Sequence, residues 1–254
     1  MPVFGNTGKL LRINLDNSKA VVEQLSEETV RKFLGGKCLG AKILYDEVAP
    51  KTDPLGPGNK IIFAAGPLQG TTIPGSGRFV VVSKSAPTNG YGEAHGGGTF
   101  GPLMKMAGYD VIVVERRAER PVYINISSGE VSVEDASRIW GKDVWETEKT
   151  LKEGKKGLSS IISIGPAGER LVKFAAIVND LHRPAARSGV GAIMGSKRCK
   201  AIAIYLPEIN RIKVADENRL QDYARNVTSR IMVLPSMIDR ARNGTPSLVE
   251  AMNV

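Results

Sequence analysis

The chain has 254 residues, 42% of them hydrophobic, a net charge of +9 and two cysteines. That suffices for one large body with a true core plus part of another, and it excludes a disulfide framework or a cysteine-built metal cluster. No apolar run approaches the ~18 residues of a bilayer span and no leader peptide opens the chain, so a cytoplasmic protein without membrane partners is expected.

KLLRINL (9–15) reads as the first strand, β-branched or leucine-rich and bounded by turn formers. Ser26 ahead of Glu27 and Glu28 caps a helix that Gly35-Gly36 ends. A second helix, LGAKILYDEV, stops before Pro50. Strands follow at 60–66 and 78–84, and TNGYGEAH (88–95) reads as a turn. Pro102 at the first helical position and Gly108 after the last bracket the short helix PLMKMA. A strand at 110–115 comes next, then 121–127 and 130–134 as a hairpin through Ser128-Gly129. Asp143 and Glu146 form a variant capping box for DVWETEKTLKEG. Strands are predicted at 160–165, 172–178 and 200–206. From about residue 210 the chain turns helical, with Leu220, Tyr223, Val227 and Ile231 on one face. A helical second domain is expected to begin there.

Two stretches repeat one order of elements. IIFAAGPLQG…GRFVVVSK…GGGTFG…YDVIVVE and IISIGPAGE…VKFAAIVND…GVGAIMGSK…KAIAIY each run strand, Gly-Pro turn, strand, glycine loop, strand. Two similar loops on a pseudo-symmetric body suit a ligand that is itself two-fold.

Gly96 to Gly101 match G-x-G-x-x-G, but a dinucleotide site needs a strand directly before the first glycine and the preceding residues read as a turn. Neither GKCLGAK nor GVGAIMGSK keeps phosphate-loop spacing. A more general chemistry remains. Glycines let main-chain amides approach a ligand closely, and Arg78, Arg183 and Arg187 can hold phosphate or a planar heterocycle. Against this stand ordinary turn glycines and solvated arginines. The same loop chemistry recurring in both repeats favours a ligand. His95, His182 and Cys38 each read more simply as a hydrogen-bonded or packed residue. Lys and Arg are spread without aromatic interleaving, so nucleic acid is not an expected partner.

The blocks GKLLRINL, FLGGKCLGAKILYDEV, DPLGPGNKIIFAAGPLQGTTIPGSGRFVVVSKSAPT, HGGGTFGPLMKMAGYDVIVVE, SIGPAGERLVKFAAIVND and HRPAARSGVGAIMGSKRCKAIAI together resemble the N-terminal domain of the aldehyde:ferredoxin oxidoreductase family. The resemblance implies an α+β fold: a β-rich body of two similar halves with flanking short helices. It would make residues 1–209 a tungstopterin-binding domain and 210–254 the start of a second, helical one. It implies a tungsten bis-molybdopterin cofactor whose metal is held by dithiolene sulfurs, with a magnesium ion bridging the pterin phosphates. By position, Arg78 matches the arginine between pterin and iron–sulfur cluster. His95 and Gly97 fall on the first pterin loop, and Arg183, Pro184, Ala186 and Arg187 on the second. The backbone carbonyls of His95 and Pro184 would face the magnesium. The family usually has Asn, Ala and Gly where this chain has His95, Pro184 and Ala186; a left-handed backbone at Ala186 would be strained.

The family's 4Fe-4S cysteines belong to downstream domains, and none is present here. The resemblance therefore implies the cofactor platform of an enzyme that oxidises aldehydes to carboxylic acids and passes electrons to ferredoxin. The remaining domains or a second subunit would complete it, and the isolated chain would be inactive. A pterin-carrier or insertion module, or a split-subunit reductase of another substrate such as an aromatic thioester, are the alternatives. An uncovered platform face would favour a homodimer.

Overall fold

The computed structural model describes residues 4–127 and 129–253; Ser128, in the turn expected of the hairpin, lies outside them. One compact unit comprises residues 4–71 and 76–213, the other 72–75 and 214–253.

The larger unit holds two six-stranded sheets. The first is built from β1 (Lys9–Asn14), β2 (Lys19–Gln24), β3 (Ile61–Ala64), β4 (Phe79–Lys84), β5 (Tyr91–Gly96) and β6 (Val111–Glu115), in the order β2-β1-β6-β3-β4-β5. The second takes β7 (Val122–Ser127), β8 (Glu130–Asp135), β9 (Leu158–Ser163), β10 (Ile177–Asn179), β11 (Arg183–Ala185) and β12 (Cys199–Leu206), ordered β8-β7-β12-β9-β10-β11. The orders correspond strand for strand. In each sheet one pair is parallel, β1 with β6 and β7 with β12, and every other pair is antiparallel. The expected α+β body of two similar halves is what forms.

Helices α1 (Glu27–Phe33), α2 (Gly36–Glu47), α3 (Phe100–Met106), α4 (Val144–Lys152), α5 (Pro166–Glu169) and α6 (Val190–Ser196) complete it. Ser26 accepts from the Thr29 amide and starts α1; Asp143 accepts from Glu146 and starts α4. Between α1 and α2, Leu34 and Gly35 adopt positive φ and turn the chain sharply.

Alternation along the strands sends one face of each sheet into a shared core: Leu11, Ile13, Phe63 and Val81 from the first, Ile124, Ile162, Ile202 and Ile204 from the second. α3 packs against β9 and β12 of the opposite half, and α6 against β3 and β4 as well as β12. Phe63 and Phe79 meet Phe100 of α3 at ring distances of 5.8 and 5.0 Å; each fully buried ring contributes ~1.5–3 kcal/mol. The outer face of the first sheet is covered by Leu39, Ile43 and Leu44 of α2, that of the second by Leu151 of α4. At the margins β2 contacts β8, and β5 contacts β11.

The smaller unit carries α7 (Glu217–Met232), α8 (Pro235–Asn243), a short 3-10 turn and α9 (Leu248–Met252). Asp216 accepts from the Arg219 amide to start α7. Tyr223, expected on the inner face of α7, is exposed, and Ala224 is the buried residue instead. Leu220, Val227 and Ile231 are half-buried beside it. No helix among the described residues is long and apolar enough to cross a membrane.

Four expectations are corrected. Residues 91–96 of the supposed turn form β5, because its pairing with β4 supplies the bonds that its Gly, Glu and His residues do not advertise. The strand expected at 172–178 is confined to Ile177–Asn179: Val172 bonds back to Ala167, Leu171 has positive φ, and Phe174 is exposed. Pro102 is the third residue of α3 rather than the first, since Thr99 is the cap. The second helix begins at Gly36, ahead of the expected Leu39.

Candidate functional site

The pairing registers show what corresponds to what. Across the first sheet one rung runs Leu10, Val111, Ala64, Val80, His95. Across the second it runs Tyr123, Ala201, Ser163, Val178, Pro184. His95 and Pro184 therefore end equivalent rungs, and Gly97 and Ala186 follow at equivalent steps. The loop after β5 enters α3, and the loop after β11 enters α6. Phe79 pairs with Gly96, so Arg78 leaves the sheet opposite Gly97. Its counterpart in the second half is Ala176, which breaks the symmetry.

The two loops meet along one seam. Asn179 Nδ2 donates to the Gly97 carbonyl at 2.7 Å. A Cβ on Gly97 would lie 3.7 Å from Arg183 Cδ, so the arginine stem passes over this glycine. Ser188 Oγ donates to the Glu93 carbonyl at 3.1 Å, and the Ala86 amide donates to the Ser188 carbonyl at 3.3 Å. The seam thus gathers Arg78, His95 and Gly97 from one half with Arg183, Pro184, Ala186 and Arg187 from the other. Ala186 is not among the positive-φ residues; Asp180, Leu181, Ser188 and Gly189 are. Alanine is therefore unstrained where the resemblance led one to expect glycine.

The seam is rich in unused donors. Arg78, Arg183 and Arg187 are exposed, and none has an acidic partner among the described residues. The amides of Gly97, Gly98, Ala186, Arg187, Ser188 and Gly189 reach no protein acceptor among the described residues. Three guanidinium groups and six such amides form a surface suited to an anion. Close by, Gln69 is buried; its Nε2 donates to the Gly77 carbonyl at 2.9 Å while its Oε1 has no partner among the described residues. That leaves one acceptor beside Arg78.

His95 itself is half-exposed, with Nε2 3.5 Å from Glu93 Oε1. Glu93 also accepts from the Tyr91 hydroxyl at 2.9 Å and faces Lys37 at 3.8 Å. Burial works to raise the Glu93 carboxyl, but these partners outweigh it and hold it below the usual carboxylate range. Burial, with the adjacent carboxylate, pushes the Tyr91 phenol up. His182 lies across from Trp145 at a ring distance of 6.2 Å.

Sequence reading overlooked Asn179, Asp180, Ser188 and Gln69. The rejected dinucleotide pattern does have a strand before its first glycine. It fails on topology instead: β5 is antiparallel to β4 and β6 is not its neighbour, so no parallel βαβ unit forms. An open apolar groove of about 710 Å³ between α2 and the β4–β5 turn, lined by Leu44, Tyr45, Val48 and Tyr91, contains none of the expected site residues. Among the described residues no three His, Cys, Asp or Glu side chains converge to hold a metal.

Residues 10–205 match the family described as aldehyde ferredoxin oxidoreductase, N-terminal domain. The chain is 48% identical over 231 residues to a tungsten-containing aldehyde ferredoxin oxidoreductase of Thermococcus kodakarensis, covering 90% of this chain and 38% of that protein. It is equally 48% identical, over 230 residues with the same coverage, to its namesake in Pyrococcus furiosus. An aliphatic sulfonate oxidoreductase, WOR-like subunit, of the latter organism is 38% identical over 216 residues, or 79% of this chain and 34% of that one. Among solved structures, the active-site complex BamBC of benzoyl coenzyme A reductase, in complex with 1,5-dienoyl-CoA, matches with a TM-score of 0.85 and 32% identity. That match covers 90% of this chain and 35% of the other. The chain spans 38% of the length of its aldehyde oxidoreductase relatives. It belongs to the aldehyde ferredoxin oxidoreductase family and carries the family's N-terminal domain.

Proposed function

We propose that residues 1–209 are the platform for a tungsten bis-molybdopterin cofactor in an oxidoreductase that converts aldehydes to carboxylic acids, and that residues 210–254 begin the next domain. The observation that carries this reading is the placing of His95 and Pro184 on equivalent rungs, with arginines and unpaired amides beside both. A ligand with two like halves, each bearing phosphate, matches a donor surface with two like loops. When bound, the cofactor supplies the metal-centred two-electron chemistry. The chain's own residues bind and orient it. Amides of Gly97–Gly98 and of Ala186–Gly189 would hold its anionic oxygens, and the His95 and Pro184 carbonyls would hold a magnesium ion. Arg78, Arg183 and Arg187 offset negative charge and thereby favour the reduced state. Substrate-handling groups, the 4Fe-4S cluster and the ferredoxin surface are assigned to the remaining domains or a second subunit, in the cytoplasm.

A second reading is favoured by the likeness to the benzoyl coenzyme A reductase complex: the same platform in a split enzyme that reduces an aromatic thioester. Protein isolated anaerobically from its native host, analysed for tungsten and for fluorescence of oxidised pterin, tests the platform. The expected result is tungsten with pterin in twofold excess. Protein free of both, isolated with its accompanying subunits, would refute it. Assay of that assembly with aldehydes and with aromatic thioesters then separates the two readings.

A further inference from the structure

The strand-end turn at Asn179-Asp180 of the second half reaches across to the first. Asp180 has φ +45 and Leu181 φ +61, a conformation that costs a non-glycine residue ~1–3 kcal/mol. From that turn Asn179 donates to the Gly97 carbonyl at 2.7 Å. Asp180 accepts from the Thr99 amide at 2.6 Å and from the Thr99 hydroxyl at 2.9 and 3.0 Å. Thr99 is the cap residue of α3 and its side chain does not cap that helix. A carboxylate from the second half thus caps the helix of the first. Ser160 ties both residues down, its hydroxyl 3.1 Å from Asn179 Oδ1 and 3.3 Å from Asp180 Oδ1. Gly98 makes room: a Cβ there would stand 2.3 Å from Asn179 Nδ2 and 2.5 Å from Asp180 Oδ2.

We infer that Asn179 and Asp180 are positioning residues that set the gap between the two ligand loops, clamping Gly97–Thr99 to the turn that leads into Arg183. The clamp also divides the work between the loops. At α3 the Thr99 amide is taken by Asp180, whereas Gly189, the cap residue of α6, has no side-chain cap bond and the amides from Ala186 to Gly189 meet no acceptor among the described residues. The anionic groups of a bound ligand are therefore held chiefly by the second loop, and the clamp brings the first loop to them. This inference rests on the cofactor reading above.

The test compares the wild-type chain, Asn179→Ala and Asp180→Asn, each purified anaerobically with its accompanying subunits. A further variant, Leu151→Ala, loosens the outer core away from the seam and controls for stability. The readouts are circular dichroism, melting temperature, tungsten and pterin per chain, and the electron paramagnetic resonance signal of partly oxidised tungsten. The clamp predicts at least a fivefold loss of cofactor in the two seam variants, or a retained cofactor with a broadened, shifted resonance, at unchanged circular dichroism. Leu151→Ala, melting as low or lower, keeps its cofactor and its resonance. Full loading with an unaltered resonance in both seam variants overturns the clamp alone, as does equal cofactor loss in Leu151→Ala. A wild-type chain without tungsten or pterin overturns the cofactor reading and the clamp together.

Discussion

Asp110 and Lys200 hold the same station in the two sheets and carry opposite charges. Each directly precedes the rung that runs to its ligand loop, and each carbonyl accepts an equivalent amide, from Ala65 and Ile164. Both are fully buried. Asp110 is met by Lys105 at 2.8 Å and by the amides of Thr7 and Gly8; Lys200 is met by Glu169 at 2.5 Å. One station has thus been served by two ion pairs of reversed polarity.

Removing one member strands the other in the core. Asp110→Asn and Lys200→Met are each expected to lower stability by ~3–5 kcal/mol. Urea titration monitored by circular dichroism reads the change. Losses under 1 kcal/mol would mean that water reaches these groups.

Two adjacent glycines should answer differently to alanine. Gly98 has φ +84, and a Cβ there meets Asn179 and Asp180 within 2.5 Å. Gly97 has only an ordinary contact at 3.7 Å. Gly98→Ala is expected to destabilise by ~1–3 kcal/mol from backbone strain alone, and Gly97→Ala by less than ~0.5 kcal/mol. Melting curves of the pair distinguish them, and similar curves would contradict the seam geometry.

The seam arginines should matter for ligand and not for fold. Arg78→Ala, Arg183→Ala and Arg187→Ala remove exposed, unpaired groups, so each should leave stability within ~0.5 kcal/mol. Tungsten and pterin content should fall, and most in a combined Arg183→Ala/Arg187→Ala variant. Undiminished cofactor in that variant would show that the amides suffice.

Lys197 is buried against the carbonyls of Asn59 and Arg116, with no carboxylate in ion-pair range among the described residues. Burial pushes its ammonium from 10.5 down to about 8, against the opposing pull of Cys199 and Glu115. Below pH 8 both folded and unfolded chains hold this proton, and the penalty of burying the charge is complete. Between about pH 8 and 10.5 only the unfolded chain holds it, so this group's contribution to stability rises with pH by up to ~1.4 kcal/mol per unit. The difference in unfolding free energy between wild type and Lys197→Met should climb on the order of 3 kcal/mol over that window. A flat difference would show that the ammonium is not desolvated.

Much of this was legible in the residues. β-branched runs such as VIVVE declare their strands, and Ser26 and Asp143 declare their helix starts, because the signal is local. The doubling of the body was visible as a repeated order of elements. What stayed hidden depended on partners distant in sequence. YGEAHG has no intrinsic preference for a strand and becomes β5 through β4. The start of α3 is set by Asp180, not by Pro102. The equivalence of His95 with Pro184 is a matter of register, which no single segment encodes.

Because β2 meets β8 and β5 meets β11, each half shields the margins of the other. A ribosome that has released only the first half presents two edge strands without these neighbours. Safe assembly therefore waits on synthesis of the second half. A chain divided between the halves should stick edge to edge into polymers rather than yield two soluble fragments.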